Sequence, residues 1–166
     1  MLRLSKLTDY AVVVLTRLEE AEEGGVLTAP GLAAATGLGE PTVSKVLKIL
    51  AHAGLVEGRR GASGGYRLTR PLAEMPLTEV IAAIDGPIAL TACVDSAAGG
   101  CETEGRCPVR GRWDPVNDAI RRALSGISIA DLAGVPAIVP HPEVVAAPRR
   151  PVIVAAERRP VIAAAE

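Results

Sequence analysis

Three cysteines are the residues of this chain best suited to chemistry. Cys93, Cys101 and Cys107 are separated by seven and five residues and stand in a stretch rich in glycine and alanine. Such a stretch has little apolar surface to bury, so we expect a bound group to order it. Three is an odd number, and no apolar secretion signal is recognisable, which argues against a disulfide framework. The pattern favours a metal centre.

The identity of the bound group stays open at this point. Zinc prefers cysteine pairs two to four residues apart and a fourth histidine or cysteine, which this stretch lacks. Iron–sulfur clusters, 2Fe–2S or 4Fe–4S, accept wider spacing, and Cys107-Pro108 is similar to the Cys-Pro that ends ferredoxin motifs. Redox-active thiols without a metal are a third alternative. A catalytic cysteine is disfavoured because the only two histidines, His52 and His141, have no sequence link to the stretch.

A second chemistry is suggested by the distribution of charge. The whole chain has a net charge of −1, which excludes a uniformly basic nucleic-acid coat. Residues 41–70 nevertheless hold six Lys or Arg against one acid, a local charge of +5, whereas residues 73–136 hold five Arg against nine acids, or −4. A basic patch on an acidic body is typical of a phosphate-binding footprint. A solvated charged face is the alternative.

Helices are predicted to position that patch. Thr8 is expected to cap a first helix that ends at Gly24-Gly25, and Thr28 precedes a short helix over 32–36. After a glycine turn, Pro41 is expected to open a third helix that runs to Gly54. Two short helices joined by a glycine turn indicate a helix-turn-helix.

The third helix has two contrasting faces. Its apolar side is formed by Val43, Val46, Leu47 and Leu50. The opposite side offers hydroxyl, ammonium and imidazole groups, which suit phosphate oxygens and base edges in a DNA major groove. The residues on that side are Pro41, Ser44, Lys45, Lys48 and His52. A solvated polar face is again the alternative.

A β-hairpin is predicted after this helix. Residues 54–57 and 65–68 have the composition of short strands, the second with Tyr66 and Leu68 inward and Arg67 outward. The glycine-rich loop between them carries Arg59 and Arg60. A hairpin after a recognition helix is a wing, and arginine suits phosphates or a narrow minor groove. The spacings of dinucleotide and Walker loops are absent, so DNA is favoured over a nucleotide.

The second half of the chain is predicted to hold two more helices and a tail. Thr78 is expected to cap a helix that ends at Asp85, and Asp114 to start a longer one, with about 27 residues and all three cysteines between them. The apolar stripe of the longer helix is formed by Val116, Ile120, Leu124 and Ile127. Beyond residue 137 a nine-residue, proline-containing segment is nearly repeated, which indicates a flexible tail. The predicted divisions are therefore residues 1–72, 73–136 and 137–166.

Five motifs occur in order along residues 2–133. They are Leu4-Ser-Lys-Leu-Thr-Asp-Tyr-Ala11, Gly54-Leu-Val56, Arg60-Gly-Ala-Ser-Gly-Gly-Tyr-Arg-Leu68, Ile84-Asp-Gly-Pro-Ile88 and the three cysteines. In this order the motifs resemble the bacterial IscR/NsrR-type iron–sulfur repressors. The segment Pro41-Thr-Val-Ser-Lys-Val-Leu-Lys48 is most similar to the branch that regulates the SUF cluster-assembly operon.

The resemblance implies a winged-helix homodimer held by the long helix near residues 115–127. It makes Thr42, Ser44 and Lys45 similar to the family's base-reading residues, and Arg59 to its wing arginine. Pro41 replaces a hydroxyl, and Ser44 replaces a carboxylate that IscR-like members use. The target sequence is therefore expected to differ.

The fourth cluster ligand is where the chain departs from the IscR pattern. IscR-like members place a histidine three residues after the third cysteine, where this chain has Arg110. A guanidinium that stays protonated does not ligate iron. NsrR-like members use an aspartate in a Thr-Asp motif of the first helix, which makes Asp9 the first candidate, with a helix-dipole role as the alternative. Three other carboxylates are also candidates: Asp95, Glu102 and Glu104.

We therefore predict a mostly α-helical protein with a small β-hairpin wing, a winged helix-turn-helix that represses transcription and senses iron–sulfur status. The predicted DNA-binding residues are Thr42, Ser44, Lys45, Lys48, Arg59 and Arg60, and the predicted metal ligands are Cys93, Cys101, Cys107 and Asp9. The expected partners are double-stranded operator DNA and a second copy in a homodimer, in the cytoplasm, with no membrane and no small-molecule substrate. Alternatives are a nitric-oxide-sensing repressor and a zinc-stabilised protein-interaction module. We do not expect an enzyme.

Overall fold

A computed structural model describes residues 3–21, 25–61, 64–92, 94 and 106–134. Cys93, Cys101 and the predicted tail over 137–166 lie outside the described residues. The helices are α1 (Lys6–Glu19), α2 (Ala29–Thr36), α3 (Glu40–His52), α4 (Leu77–Asp85), α5 (Asp114–Ser125) and α6 (Ile129–Leu132). Strands β1 (Val56–Arg59) and β2 (Gly65–Leu68) follow α3, and a 3-10 turn covers Leu72–Glu74. The predicted fold class, mostly helical with a hairpin wing, is confirmed.

Helix α1 begins one turn earlier than predicted. Ser5 is its N-cap, and the Ser5 hydroxyl accepts a hydrogen bond from the Thr8 amide at 3.3 Å. Thr8, the predicted cap, is instead buried inside the first turn. The helix also ends at Glu19, ahead of the predicted glycines, where Glu20 is the C-cap. Both Ser5 and Thr8 are good capping residues, and the tertiary contacts of Thr8 described below decide between them.

Helices α2 and α3 form where the sequence predicted helices, although α2 begins at Ala29 rather than at residue 32 and α3 ends at His52, before Gly54. The Thr28 hydroxyl accepts from the Gly31 amide, and Gly37 ends α2 with a left-handed φ of 72°, a conformation that glycine adopts at little cost. Helix α3 buries its apolar side completely against α1 and the rest of the core. That buried side is Val43, Val46, Leu47 and Leu50. Burial of one side fixes which side of α3 faces solvent.

The wing is an antiparallel hairpin with Val56 opposite Leu68 and Glu57 opposite Arg67. Strand β1 starts at Val56, two residues later than predicted, and Tyr66, Arg67 and Leu68 are all half-buried rather than alternating. Tyr66 and Leu27 exchange backbone hydrogen bonds at 3.0 and 2.8 Å. This isolated antiparallel bridge joins the residues before α2 to strand β2. A Cβ atom at Gly65 would lie 2.8 Å from the Leu27 carbonyl oxygen. The glycines at this end of the loop thus permit close packing within the protein.

The second half packs onto the same core. Helix α4 begins after Pro76 without a side-chain cap, so the prediction that Thr78 caps it is wrong, and Thr78 lies in the first turn. Met75 accepts a hydrogen bond from the Ile129 amide at 2.9 Å, and both side chains are fully buried. Helix α6 was not predicted; Ser128 and Asp131 form a capping box at its start. Because α5 ends at Ser125, Ile127 lies beyond it rather than on its stripe.

None of the helices within the described ranges combines the length and apolar character needed to span a bilayer.

Candidate nucleic-acid interface and the cysteine segment

The outer side of α3 is a continuous polar surface. Ser44, Lys45 and Lys48 are exposed, as predicted, on the side opposite the buried core residues. Thr42 is half-buried in the first turn, where its amide donates to the Gly39 carbonyl oxygen at 2.9 Å. The side chains therefore present a hydroxyl and two ammonium groups along one helix face. A helix of this kind fits a major groove about 12 Å wide.

The basic patch of residues 41–70 is partly neutralised by ion pairs. Arg67 is paired with Glu57 on the wing, and Arg70 with Glu79 of α4. Arg59 lies farther from Glu57, with 3.8 Å between Nε and Oε1. Across the described part of the chain, no carboxylate pairs with Lys45, Lys48 or Arg60. Within the patch, Lys45, Lys48 and Arg60 thus have no carboxylate partner and Arg59 has only a distant one. Their contact with DNA stays a prediction.

The wing is fixed relative to the end of α3. The Leu55 amide donates to the Leu50 carbonyl oxygen at 2.9 Å, which continues the helix end directly into β1. Thr69, which directly follows β2, lies beside the start of β1. Its hydroxyl donates to the Gly54 and Leu55 carbonyl oxygens at 2.8 and 3.1 Å. These bonds close the base of the hairpin on α3. The base of the wing is thereby held at the end of α3.

The cysteine segment, residues 88–113, is described at both ends. Cys107 is a half-buried free thiol. It is followed by two tight turns, in which the Arg110 amide donates to the Cys107 carbonyl oxygen at 3.3 Å and the Arg112 amide to that of Val109 at 3.0 Å. Among the residues that the structure describes, no three histidine, cysteine or acidic side chains lie together as a metal site. Two of the predicted ligands, Cys93 and Cys101, lie outside the described residues.

Asn117 holds the start of the cysteine segment and was missed by the sequence analysis. It is the buried residue of α5, 1% exposed. Its Oδ1 accepts from the Leu90 amide and its Nδ2 donates to the Ile88 carbonyl oxygen, both at 3.0 Å. These partners are 27 and 29 residues away in the chain. No periodicity or capping pattern marks such a contact.

Asp85 connects two of the sequence motifs, its own at residues 84–88 and the first one at residues 4–11. Its Oδ2 accepts from the Ser5 amide at 3.1 Å and from the Thr8 hydroxyl at 2.7 Å. Partial burial by itself raises the pKa of the Asp85 carboxyl, but the hydrogen bonds from Ser5 and Thr8 outweigh it and hold that pKa below its ordinary value of 3.8. The ionised carboxylate therefore ties the end of α4 to the start of α1.

Replacing Asp85 by asparagine is expected to lower the free energy of unfolding at pH 7 by about 1 kcal/mol. This is the contribution of a charge-assisted hydrogen bond, reduced because solvent screens the exposed carboxylate. Because the folded-state pKa of Asp85 is lowered, its contribution is full above the unfolded pKa and disappears as the pH falls through the folded one. Urea unfolding of both proteins between pH 7 and pH 2 would check this. A difference that stays constant below pH 3 would contradict the assignment.

Asp9, the predicted fourth ligand, is exposed in the first turn of α1. That position also suits a carboxylate interacting with the helix dipole. Within the described ranges, Asp9 does not belong to any group of three metal-ligating side chains. Its role as a ligand stays a prediction.

A helix-turn-helix joined to a two-stranded wing, with unpaired cations on both, defines a winged-helix DNA-binding protein. Residues 4–134 match the model of the Rrf2 family, described as an iron-dependent transcriptional regulator, and the chain belongs to that family.

Similar proteins agree with this assignment. Protein aau3 of Rhizobium meliloti is 34% identical over 132 residues, 79% of this chain and 84% of that protein. The HTH-type transcriptional regulator IscR of Escherichia coli is 26% identical over 131 residues, which cover 79% of this chain and 80% of that protein.

Two solved structures share the fold. CymR, the global cysteine regulator of B. subtilis, has a TM-score of 0.61 and 27% identity, covering 80% of this chain and 97% of that one. IscR of T. potens has a TM-score of 0.57 and 25% identity, covering 79% and 85%. The chain is thus an IscR-like transcriptional regulator of the Rrf2 family.

Proposed function

We propose that this chain is a dimeric repressor of the SUF iron–sulfur assembly operon, and that its affinity for operator DNA depends on an iron–sulfur cluster held by Cys93, Cys101 and Cys107. The iron dependence in the family description and the similarity to IscR support this proposal. The resemblance of residues 41–48 to the SUF branch supports the choice of operon.

The observation that carries the proposal is the closure of the cysteine segment on α5. Near the start of the segment, the Leu90 amide is hydrogen-bonded to Asn117 of α5. The segment ends where α5 begins, at Asp114, three residues before Asn117 on the same helix. All three cysteines therefore stand between two points held at one end of α5. Closing a loop in this way removes part of the entropy that a bound group would otherwise have to overcome.

The donor set fits a cluster. Cys107 supplies a half-buried, unbridged thiol, and thiolates are the ligands that iron–sulfur clusters use. Asp9 is the first candidate for the fourth ligand, with Asp95, Glu102 and Glu104 as others, whereas Arg110 does not ligate iron. When bound, the cluster would supply several strong bonds that order the segment.

A route from this segment to α3 exists in the described contacts. Asn117 holds residues 88–90 through hydrogen bonds, and Asp85 just before them is hydrogen-bonded to Ser5 and Thr8 at the start of α1. Helix α1 in turn packs on α3 through shared core residues. A change in the segment can therefore alter how α3 is presented. For regulation, the two states must differ in DNA affinity, and ~1.4 kcal/mol of difference gives only tenfold.

Exposed apolar side chains on and before α5 support the dimer. Val116 is 45% exposed and Trp113 41%. A helix that keeps such groups in solvent favours a second copy as its partner surface. The proposed dimer would place two copies of α3 on one duplex, as helix-turn-helix dimers do on paired half-sites.

The test is a pair of operator DNA titrations without oxygen, one with protein as purified and one after cluster removal. The proposal expects a brown protein with iron and acid-labile sulfide, and weaker binding after removal. Stoichiometric zinc without sulfide would contradict it and favour the interaction module. Equal affinities would leave a DNA-binding regulator that does not use a cluster as its switch.

Replacing Arg59 and Arg60 together by alanine is expected to weaken binding to operator and unrelated DNA alike. Each lost phosphate contact should reduce the slope of log affinity against log salt by roughly one unit. Anisotropy titrations across a salt series would measure both effects. An unchanged slope would place the wing away from the duplex.

Replacing Ser44 by alanine is expected to change which operator is preferred, because its exposed hydroxyl lies where α3 would face base edges. Losing one base contact typically costs about 1–3 kcal/mol at the affected base pair. Selection from a randomised duplex pool would compare the two preferences. A uniform loss across all sequences would instead indicate a phosphate contact.

A further inference from the structure

Glu57 occupies a special position on the wing. It is the only acidic residue between positions 41 and 70. Its carboxylate accepts a hydrogen bond from Arg67, which stands directly opposite on β2. The same oxygen, Oε1, lies 3.8 Å from Nε of Arg59, two residues further along β1. One carboxylate oxygen thus faces two arginines.

The two arginines are held differently. Arg67 is in hydrogen-bonding contact with Glu57, and its side chain is 36% exposed. Arg59 is beyond hydrogen-bonding distance, and its side chain is 53% exposed. Arg59 can therefore leave Glu57 for a phosphate or a groove while Arg67 keeps the carboxylate in place. After such an exchange, a negative charge would remain beside the DNA backbone.

We propose that Glu57 sets the DNA affinity of the wing by competing with the duplex for Arg59. This inference rests on the proposed role of Arg59 as a DNA contact. Glu57 opposes binding in two ways: it attracts Arg59 in the free protein and it repels phosphates in the complex. Both effects act on any sequence, since the phosphate backbone is common to all duplexes.

A purely structural role for Glu57 makes the opposite prediction. If the carboxylate only braced the hairpin through Arg67, its removal would loosen the wing and weaken binding. The competition predicts tighter binding. The sign of the change in DNA affinity therefore separates the two roles.

The test uses the full chain purified without oxygen and a labelled mixed-sequence double-stranded DNA. Glu57→Gln keeps an acceptor for Arg67 and removes the charge. It is expected to bind about threefold tighter at low salt, in keeping with the weak energies of exposed ion pairs. The slope of log affinity against log salt should become steeper by about one unit. A second variant, Glu57→Thr, suits a strand and should shift affinity in the same direction.

Glu79→Gln is the matched control. Glu79 also pairs with an arginine, and its side chain is 44% exposed against 43% for Glu57, but it lies on α4 and its partner, Arg70, is not a proposed DNA contact. It changes the net charge equally and should leave affinity unchanged. In an Arg59→Ala background the gain from Glu57→Gln should shrink, because there is no arginine left to release.

Unchanged or weaker binding by both Glu57 variants, while Arg59→Ala weakens binding, would overturn this inference alone. An Arg59→Ala protein that binds as tightly as the wild type would overturn it together with the proposed wing contact.

Discussion

Protein with Cys107 replaced by alanine is expected to emerge colourless from oxygen-free purification, with iron and acid-labile sulfide near zero. The proposed cluster has three thiolate ligands, and Cys107 is the one whose half-buried, unbridged thiol the structure describes. Loss of one thiolate removes a bond that an alanine methyl group does not replace. DNA affinity should then equal that of the cluster-free wild type, about 5- to 150-fold below the loaded protein if the coupling is of ordinary size.

Val109→Ala is the control for this experiment. Val109 lies two residues after Cys107, is 44% exposed and joins the same turns without offering a ligand. It should retain iron, sulfide and DNA affinity. A Cys107→Ala protein with a full complement of iron and sulfide would remove Cys107 from the ligand set. A colourless one that binds DNA like the loaded wild type would separate the cluster from regulation.

Replacing Asn117 by leucine is expected to lower the free energy of unfolding by about 2–3 kcal/mol. Leucine has a similar volume, so the change removes hydrogen bonds without opening a large cavity. The Leu90 amide and the Ile88 carbonyl group would lose their partner at a largely buried position, and such unpaired groups are costly. Chemical denaturation measures this loss.

The same variant should also reduce the response of DNA affinity to the cluster, because it frees the start of the cysteine segment from α5. Asp118→Ala, at the neighbouring exposed position of α5, should change neither property. Unaltered stability of Asn117→Leu would show that residues 88–90 need no anchor. Reduced stability with a full cluster response would leave Asn117 as a support of the fold only.

The candidate DNA surface could be predicted from local sequence patterns. On α3, periodicity alone placed Ser44, Lys45 and Lys48 opposite the apolar residues, because a regular helix fixes which residues share a side. The hairpin followed from glycines and strand-forming residues, although the predicted alternation of Tyr66, Arg67 and Leu68 was wrong. The helix cap at Ser5 and the burial of Thr8 did not follow, because both residues contact Asp85, 80 and 77 positions away in the chain. Helix α6 was missed although its start carries a local signal, the capping box of Ser128 and Asp131.

The charges likewise separate what the sequence predicts from what the fold decides. Composition identified a local charge of +5 but treated all six cations as equal. The fold pairs Arg67 with Glu57 across the hairpin and Arg70 with Glu79 of α4, and leaves Lys45 and Lys48 without such partners in the described part. Which cations are available to a duplex is therefore a property of strand register and helix packing.

By itself, the sequence determined the helix-turn-helix, the wing and the presence of three thiols between two helices, since short-range periodicity and turn-forming residues decide these features. Only the tertiary structure decided that Asn117 anchors the cysteine segment and that Asp85 ties the end of α4 to the start of α1. Both contacts join groups dozens of positions apart, and a hydrogen bond depends on distance and direction in space rather than on separation along the chain.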